Sequence, residues 1–176
     1  YKEYMLLSLH GQSKDALAKT RLGAWEYDVV APLYKCNMTD IMAAIGLVQL
    51  RRYPELLARR YDMVRRYDAQ LPQEVLRPAH LRPDMTSDCH LYLARLPGKT
   101  HASRSEIITR MAERGVACNV HYKPLPLLTA YKNLGFRMVD YPNAYAQFEN
   151  EITLPLHTLL SDEDIDYVCA CLKESL

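Results

Sequence analysis

Apolar residues recur every three to four positions between residues 41 and 71, and this spacing predicts a long helical segment with one apolar face. Thr39 and Asp40 stand just before it, and both residue types favour a helix N-terminus. Pro54 lies inside the segment and has no backbone N–H, so we expect it to end or kink the helix. We expect the opposite face to be solvated, because it carries Arg59, Arg65 and Arg66.

The second half of the chain alternates between strand-like and helix-like patterns. Ser103 and Glu106 form a capping-box pattern at the start of one helix, and Gly115 is a natural end for it. Ser161 caps the last helix. The pattern predicts strands at 90–96, 116–122 and 152–156, and short helices at 127–134 and 142–150. These elements indicate a small α/β sandwich with one sheet and helices mostly on one face.

The first 38 residues have weak periodicity and do not resemble the start of an independent domain. Residues 5–9 fit either a short strand or the end of a helix, and residues 10–13 form a polar turn. Residues 26–32 fit an extended piece that ends at Pro32. We therefore expect this segment to be the end of a domain that lies mostly upstream.

Composition narrows the class of protein. Of the 176 residues, 49% are hydrophobic and 24% charged, which is typical of a globular chain. The net charge of +1 gives no general attraction to nucleic acid or to an anionic membrane, so we expect neither as a partner. Five widely spaced cysteines without a Cys-x-x-Cys pair do not suggest a disulfide framework, and this favours the cytoplasm.

Two segments carry polar groups that could do chemistry. Residues 34–40 place an amine, an amide and a hydroxyl just before a helix N-terminus, an arrangement that favours an anion such as phosphate, although taken alone it is also explained by ordinary capping. Residues 119–124 place His121 at the end of a predicted strand, where it is either a site residue or a structural histidine. His10, next to Gly11, has the same two interpretations. No metal-ligand spacing and no glycine-rich phosphate loop is present in the sequence.

At these segments the sequence resembles the C-terminal portion of the DegT/StrS-type (DegT/DnrJ/EryC1/StrS) sugar aminotransferases, pyridoxal-phosphate (PLP) enzymes of the aspartate-aminotransferase fold, type I. The most specific match is the run Asn-Met-Thr-Asp-Ile-x-Ala-Ala-Ile-Gly at 37–46. Supporting matches are His-Gly-Gln at 10–12, His-Tyr-Lys-Pro-Leu at 121–125, and Leu-Pro-Leu-His at 154–157 before the last helix.

The resemblance implies an α/β fold: the small C-terminal domain of a type I enzyme, with a short, mostly antiparallel sheet, helices on one face and a long kinked connecting helix before it. Residues 1–38 would be the end of the large PLP-binding domain, 39–71 the connecting helices and 72–176 the small domain.

The resemblance also implies site residues. Lys35 and Asn37 would hold the PLP phosphate in the partner subunit's site, and His10 would lie near the cofactor cleft. The residues facing the sugar nucleotide would be His121, Tyr122 and Lys123. Leu33 and Cys36 depart from the family pattern of this loop.

The lysine that forms the Schiff base lies upstream of the His-Gly segment in this family, and none of the eight lysines here stands in its motif. We therefore expect a C-terminal fragment without catalytic residues, inactive alone. The whole enzyme is expected to be a cytoplasmic homodimer that aminates a nucleotide-linked keto sugar, with glutamate as donor, in cell-surface polysaccharide or lipopolysaccharide biosynthesis. Open alternatives are a PLP-dependent sugar dehydratase, which would have His in place of that lysine, and a small module that associates through Ala43, Ala44 and Gly46.

Overall fold

The computed structural model describes residues 1–12, 28–36 and 38–176. The chain divides into two units, Tyr1–Arg52 and Tyr53–Leu176. The helices are α1 (Lys2–Ser8), α2 (Asp40–Gln70), α3 (His101–Glu113), α4 (Thr129–Asn133), α5 (Pro142–Phe148) and α6 (Asp162–Ser175), and the strands are β1 (Tyr92–Arg95) and β2 (Glu151–Leu154). Part of the expected extended piece at 26–32 lies outside the described residues, as does Asn37.

Residues 5–9, for which strand and helix were both open, belong mainly to helix α1. The polar turn at His10 and Gly11 follows it, and the chain then pairs with residues 29–36 through two isolated antiparallel bridges. One bridge joins Leu9 to Lys35, and the other joins Gln12 to Val29.

Helix α2 does not end at Pro54, so of the two outcomes expected there, an end or a kink, the end was wrong. A proline inside a helix leaves the carbonyl four residues earlier, here that of Leu50, without its usual donor. The burial of Met63, Val64 and Tyr67 after the proline stabilises the helix and offsets this loss. The helix therefore runs without interruption for 31 residues.

The sheet of the second unit has two antiparallel strands in the described part of the chain. Its register places Tyr92 opposite Leu154 and Arg95 opposite Glu151. The strand expected at 116–122 is reduced to a single bridge between Asn119 and Thr153. The physical reason is that side chains take the backbone donors that a ladder needs: the Val120 N–H donates to Asn119 Oδ1, and the His121 N–H donates to Glu151 Oε2.

Alternation along the strands separates the two faces of the sheet. Tyr92, Ala94, Ile152 and Leu154 face the core, where they pack with apolar residues of α2, α3 and α6. Leu93, Arg95, Glu151 and Thr153 occupy the other face. The helices thus cover one face, as expected, and the loop that contains His121 lies over the other.

Two capping boxes define the N-termini of α3 and α6, two of the helices that pack in this core. Ser161 and Asp164 cap α6 as predicted. Helix α3 begins earlier than predicted, because Thr100 is its N-cap and Ser103 is the third helical residue that completes the box. The capping box thus consists of Thr100 and Ser103, three residues before the predicted pair of Ser103 and Glu106.

The arginine face of α2 is not simply solvated. Arg59 donates to Asp162 at 2.7 Å, and Arg66 donates to Asp162 at 2.9 Å and to Asp166 at 2.5 Å. Arg65, with a side chain 61% exposed, is the one of the three that fits the prediction. The other two join α2 to α6, because their guanidinium groups reach carboxylates on that helix.

Candidate functional site

In the first unit, the two segments that carry His10 and Lys35 lie side by side. The His10 N–H donates to the Tyr34 carbonyl at 2.8 Å, and the Cys36 N–H donates to the Ser8 carbonyl at 2.9 Å. These bonds flank the bridge between Leu9 and Lys35. The structure therefore brings together two residues that stand 25 positions apart in the sequence and that were both assigned to the cofactor.

Gly11 fixes the turn between these segments. Its φ is +69°, and a Cβ built on it would stand 2.2 Å from the Ala31 carbonyl oxygen. The Gly11 N–H donates to Leu6, and its carbonyl accepts from Val30 at 3.0 Å. Only glycine fits here, since both the backbone conformation and the close approach exclude a side chain.

The side chains near this turn suit a phosphate dianion. Lys35 and His10 are exposed, and an ammonium group and an imidazole are both suitable donors to phosphate oxygens. The N-terminus of α2 contributes less than expected, because Thr39 Oγ1 accepts from the Met42 N–H at 3.3 Å and Asp40 adds a negative charge there. Asn37 lies outside the described residues. A phosphate in this unit would therefore depend on Lys35 rather than on the helix end.

In the second unit, His121 is held by a chain of hydrogen bonds. Its Nδ1 lies 2.8 Å from Thr153 Oγ1, and that hydroxyl donates to Glu151 Oε1 at 2.6 Å. The other carboxylate oxygen, Oε2, accepts from the His121 backbone N–H at 3.0 Å. The residue is thus attached to β2 through both its main chain and its ring.

Glu151 is a buried carboxylic acid, 1% exposed. Burial raises its pKa, while the hydrogen bonds from Thr153 and from the His121 N–H act in the opposite direction. The Arg104 guanidinium is buried nearby, where it donates to the Phe148 carbonyl at 3.3 Å, and its charge also favours the ionised carboxylate. The hydrogen bonds and this charge compensate part of the cost of burying Glu151.

Tyr122 and Lys123 continue from His121 toward solvent. The Tyr122 ring is 74% exposed and meets the His121 ring edge-on, with centroids 4.6 Å apart. The peptide bond between the two residues is cis. An apolar pocket follows directly along the chain, lined by Pro124, Leu125, Pro126, Tyr131, Phe136, Tyr141 and Ala144. The loop therefore combines polar groups with a neighbouring apolar wall.

The structure adds two residues to this cluster that sequence reasoning missed, Glu151 and Thr153, and it places Asn119, from the predicted segment 119–124, beside the His121 ring. Glu151 and Thr153 stand two positions apart on a fully buried strand, so their side chains share one face. A carboxylate and a hydroxyl at that spacing inside an apolar strand were the available signal.

Residues 1–12, 28–36 and 38–176 contain neither a metal-binding cluster nor a membrane-spanning helix. No group of three or more His, Cys, Asp or Glu side chains in them could hold a metal ion. No helix in that part of the chain is long and apolar enough to cross a membrane.

Comparison with known proteins identifies the family. The model of the DegT/DnrJ/EryC1/StrS aminotransferase family matches residues 1–173. The spore coat polysaccharide biosynthesis protein SpsC of Bacillus subtilis (strain 168) is 34% identical over 177 aligned positions, which cover 96% of this chain and 45% of SpsC.

Solved structures of aminotransferases are also similar to this chain. Spr1654 of Streptococcus pneumoniae, assigned as a sugar aminotransferase and solved in its PMP form, is 60% identical with a TM-score of 0.90, over 99% of this chain and 44% of Spr1654. The aminotransferase TlmJ of Streptoalloteichus hindustanus is 31% identical with a TM-score of 0.78, over 97% of this chain and 43% of TlmJ. The chain thus spans less than half the length of these proteins.

The match extends over almost every residue, in both sequence and fold, and the expected fold class is confirmed. This chain belongs to the DegT/DnrJ/EryC1/StrS aminotransferase family.

Proposed function

We propose that this chain forms the C-terminal part of a PLP-dependent aminotransferase that aminates a nucleotide-linked keto sugar, with glutamate as the amine donor. The family match supports the reaction class, and the similarity to Spr1654 supports a sugar substrate. The observation that carries the substrate assignment is the anchoring of His121 on Thr153, with Tyr122 and Lys123 exposed beside it. A fixed polar ring next to an exposed aromatic ring is suited to a sugar, which offers hydroxyl groups and apolar C–H faces.

PLP supplies the electron sink that allows an amino group to move between donor and acceptor. In the proposed enzyme Lys35 and Asn37 bind the phosphate of that cofactor in the partner subunit's site, and His10 lies beside the same cleft. The hydrogen-bonded pairing of residues 8–10 with 34–36 supports a shared role for His10 and Lys35. Charge-assisted hydrogen bonds from the ammonium group would contribute most of the affinity for the phosphate.

The proposed domain organisation has residues 1–38 completing the large PLP-binding domain, 39–71 connecting and 72–176 forming the small domain. In this organisation the Schiff-base lysine belongs to the part of the protein before residue 1, and the isolated chain does not transaminate. The share of the relatives that the chain covers, 45% of SpsC and 44% of Spr1654, supports this proposal.

The proposed enzyme is a homodimer. Several apolar side chains on the first turns of α2 are at least half exposed, and a second subunit would cover them: Ile41, Met42, Ile45, Leu47, Val48 and Leu50. The proposed location is the cytoplasm, supported by five free thiols. The proposed pathway produces a cell-surface polysaccharide or lipopolysaccharide, supported by the similarity to SpsC, a spore coat polysaccharide biosynthesis protein.

The test uses the full-length protein that contains this chain, loaded with PLP. Glutamate should abolish the visible absorbance of the bound cofactor and release 2-oxoglutarate, and a nucleotide-linked keto sugar should then restore that absorbance. Lys35→Ala should weaken PLP binding about tenfold, the equivalent of one charge-assisted hydrogen bond. Lys132→Ala, an exposed lysine on α4, is the matched control and should leave the affinity unchanged. An absorbance that responds to neither glutamate nor the keto sugar would overturn the proposal.

A further inference from the structure

We propose that Thr153 and Glu151 are positioning residues that hold the His121 ring as its Nδ1–H tautomer, so that Nε2 accepts a hydrogen bond from a hydroxyl group of the sugar substrate. This inference rests on the proposed function and deepens it, because it states which chemical group His121 recognises.

The directions of two hydrogen bonds at the Thr153 hydroxyl determine the tautomer of His121. Thr153 has one hydroxyl proton, and it is directed to Glu151 Oε1 at 2.6 Å. The hydroxyl oxygen can then only accept at its contact with His121 Nδ1, at 2.8 Å. Nδ1 must therefore carry the ring proton, and in a neutral imidazole Nε2 is left as an acceptor.

Asn119, which lies near Nε2 of the ring, indicates the same tautomer independently. The Asn119 amide oxygen accepts from the Val120 N–H at 2.8 Å, and this bond fixes which way the amide points. The amide nitrogen is consequently the atom that lies 3.5 Å from His121 Nε2. An amide N–H group faces an acceptor favourably and a second N–H group unfavourably, so this contact also favours an unprotonated Nε2.

Glu151 is connected to His121 in two ways, directly and through Thr153. Its Oε2 accepts from the His121 backbone N–H at 3.0 Å, and its Oε1 is linked to the ring through Thr153. Because the carboxylate is buried on β2, it fixes both the position of the residue and the direction of the chain of hydrogen bonds. Burial raises the pKa of Glu151, whereas the hydrogen bonds from Thr153 and the His121 N–H, and the charge of buried Arg104, favour its ionised, accepting form.

An accepting Nε2 beside the Asn119 amide limits which chemical group of the substrate can bind there. A phosphate oxygen without a proton only accepts hydrogen bonds and has nothing to donate to Nε2. A hydroxyl group can donate to His121 Nε2 and accept from the Asn119 amide at the same time. The contact between Asn119 and His121 is long and lies at the exposed side of the ring, where such a group can be inserted. The pair is therefore suited to a sugar hydroxyl rather than to the diphosphate.

The test measures the ring nitrogens directly in the full-length protein, with ¹⁵N-labelled histidine and magic-angle-spinning NMR. Protonated and unprotonated ring nitrogens give separate signals, and the loss of signals in His121→Gln assigns those of His121. His80 is an internal reference: its Nε2 lies 2.9 Å from the Leu91 carbonyl, which only accepts, so Nε2 of His80 must carry a proton. At His121 we expect the proton on Nδ1 and none on Nε2. An Nε2–H or doubly protonated His121 would overturn the inference.

The variants separate positioning from a merely structural effect. Thr153→Val should mix the two tautomers of His121 and raise KM for the nucleotide-linked keto sugar about two- to tenfold, the effect of one weakened hydrogen bond. The glutamate half-reaction should be unchanged, and Thr153→Ser should restore both the tautomer and the KM. A Val variant that changes kcat and KM for both substrates equally, or leaves the tautomer intact, would contradict the role of Thr153.

Failure of the proposed function would give a different result. In that case the tautomer and its response to Thr153→Val would be as expected, but no keto sugar would be aminated. An active aminotransferase whose His121 carries its proton on Nε2 would instead refute this inference alone.

Discussion

At the scale of single residues, Gly11 is held where no side chain fits. Gly11→Ala would place a methyl group against the Ala31 carbonyl and also impose an unfavourable φ. The left-handed conformation alone costs about 1–3 kcal/mol for a non-glycine residue, and the close approach adds to this cost. We expect a lower thermal unfolding midpoint of the full-length protein and weaker PLP retention, because the turn pairs His10 with the segment of Lys35.

Gly115→Ala is the matched control. Gly115 also has a positive φ, +80°, but nothing lies within 4 Å of the position of its Cβ. Its thermal midpoint should fall less than that of Gly11→Ala, with PLP retention unchanged. Equal effects of the two substitutions would show that the contact with Ala31 does not constrain the turn.

The residues of the candidate site could be predicted only in part. His121 was found because it follows a predicted strand and belongs to the His-Tyr-Lys-Pro run. Thr153 and Glu151 were not found: their spacing on one strand was a signal, but their hydrogen bonds to His121, 30 and 32 positions away, are not encoded in either segment. The pairing of His10 with Lys35 was missed for the same reason: backbone bonds between distant segments are not encoded in either segment alone.

At the scale of elements, the ion pairs between α2 and α6 should give the fold a characteristic acid sensitivity. Hydrogen bonds from Arg66, and then from Gln70, lower the pKa of Asp166 to about 2 from an ordinary value of 3.8. Since the folded state binds the proton less well than the unfolded state, this group stabilises the fold above about pH 4. That contribution is lost as the pH falls from about 4 to about 2.

Asp166→Asn should therefore lower the thermal midpoint at pH 6, and its difference from the wild type should shrink as the pH approaches 2. Asp62→Asn is the control, because Asp62 pairs with Arg65 three residues away on the same helix and both side chains are more than 60% exposed. It should change the midpoint little at either pH. A constant difference between Asp166→Asn and wild type across this range would refute the assignment.

The elements themselves were predicted unevenly. Helix α6 was predicted well because its signals are local: a Ser161 cap, a first turn of acidic residues and a regular apolar stripe. The prediction of a strand at 116–122 was wrong, because the backbone N–H groups of Val120 and His121 donate to the side chains of Asn119 and Glu151 instead of to a neighbouring strand. Pro54 did not end α2 because the burial of Met63, Val64 and Tyr67 stabilises the helix. Competition between side chains and backbone, and burial against other elements, both depend on tertiary structure.

At the scale of the whole molecule, the exposed apolar side chains on the first turns of α2 lead us to expect a subunit interface there. Ile45 is 54% exposed there, between Ile41 at 75% and Val48 at 50%. If this face is a subunit interface, Ile45→Glu should place a charge in it and shift the full-length protein from dimer to monomer. Sedimentation velocity measures this directly.

Leu159→Glu is the comparison variant, since Leu159 is 90% exposed in the second unit and belongs to none of the proposed contacts. It should sediment as the wild type does. An Ile45→Glu protein that remains dimeric would remove α2 from the proposed interface.

The central claim is amination of a nucleotide-linked keto sugar by the full-length protein, and transfer of an isotope tests it most directly. The PLP-loaded protein is incubated with ¹⁵N-glutamate and a set of nucleotide-linked keto sugars, and the products are analysed by mass spectrometry. The account predicts that one sugar nucleotide gains a single ¹⁵N-labelled amino group while glutamate becomes 2-oxoglutarate in equal amount. Formation of 2-oxoglutarate without label in any sugar nucleotide, or loss of a sugar hydroxyl without gain of nitrogen, would contradict it.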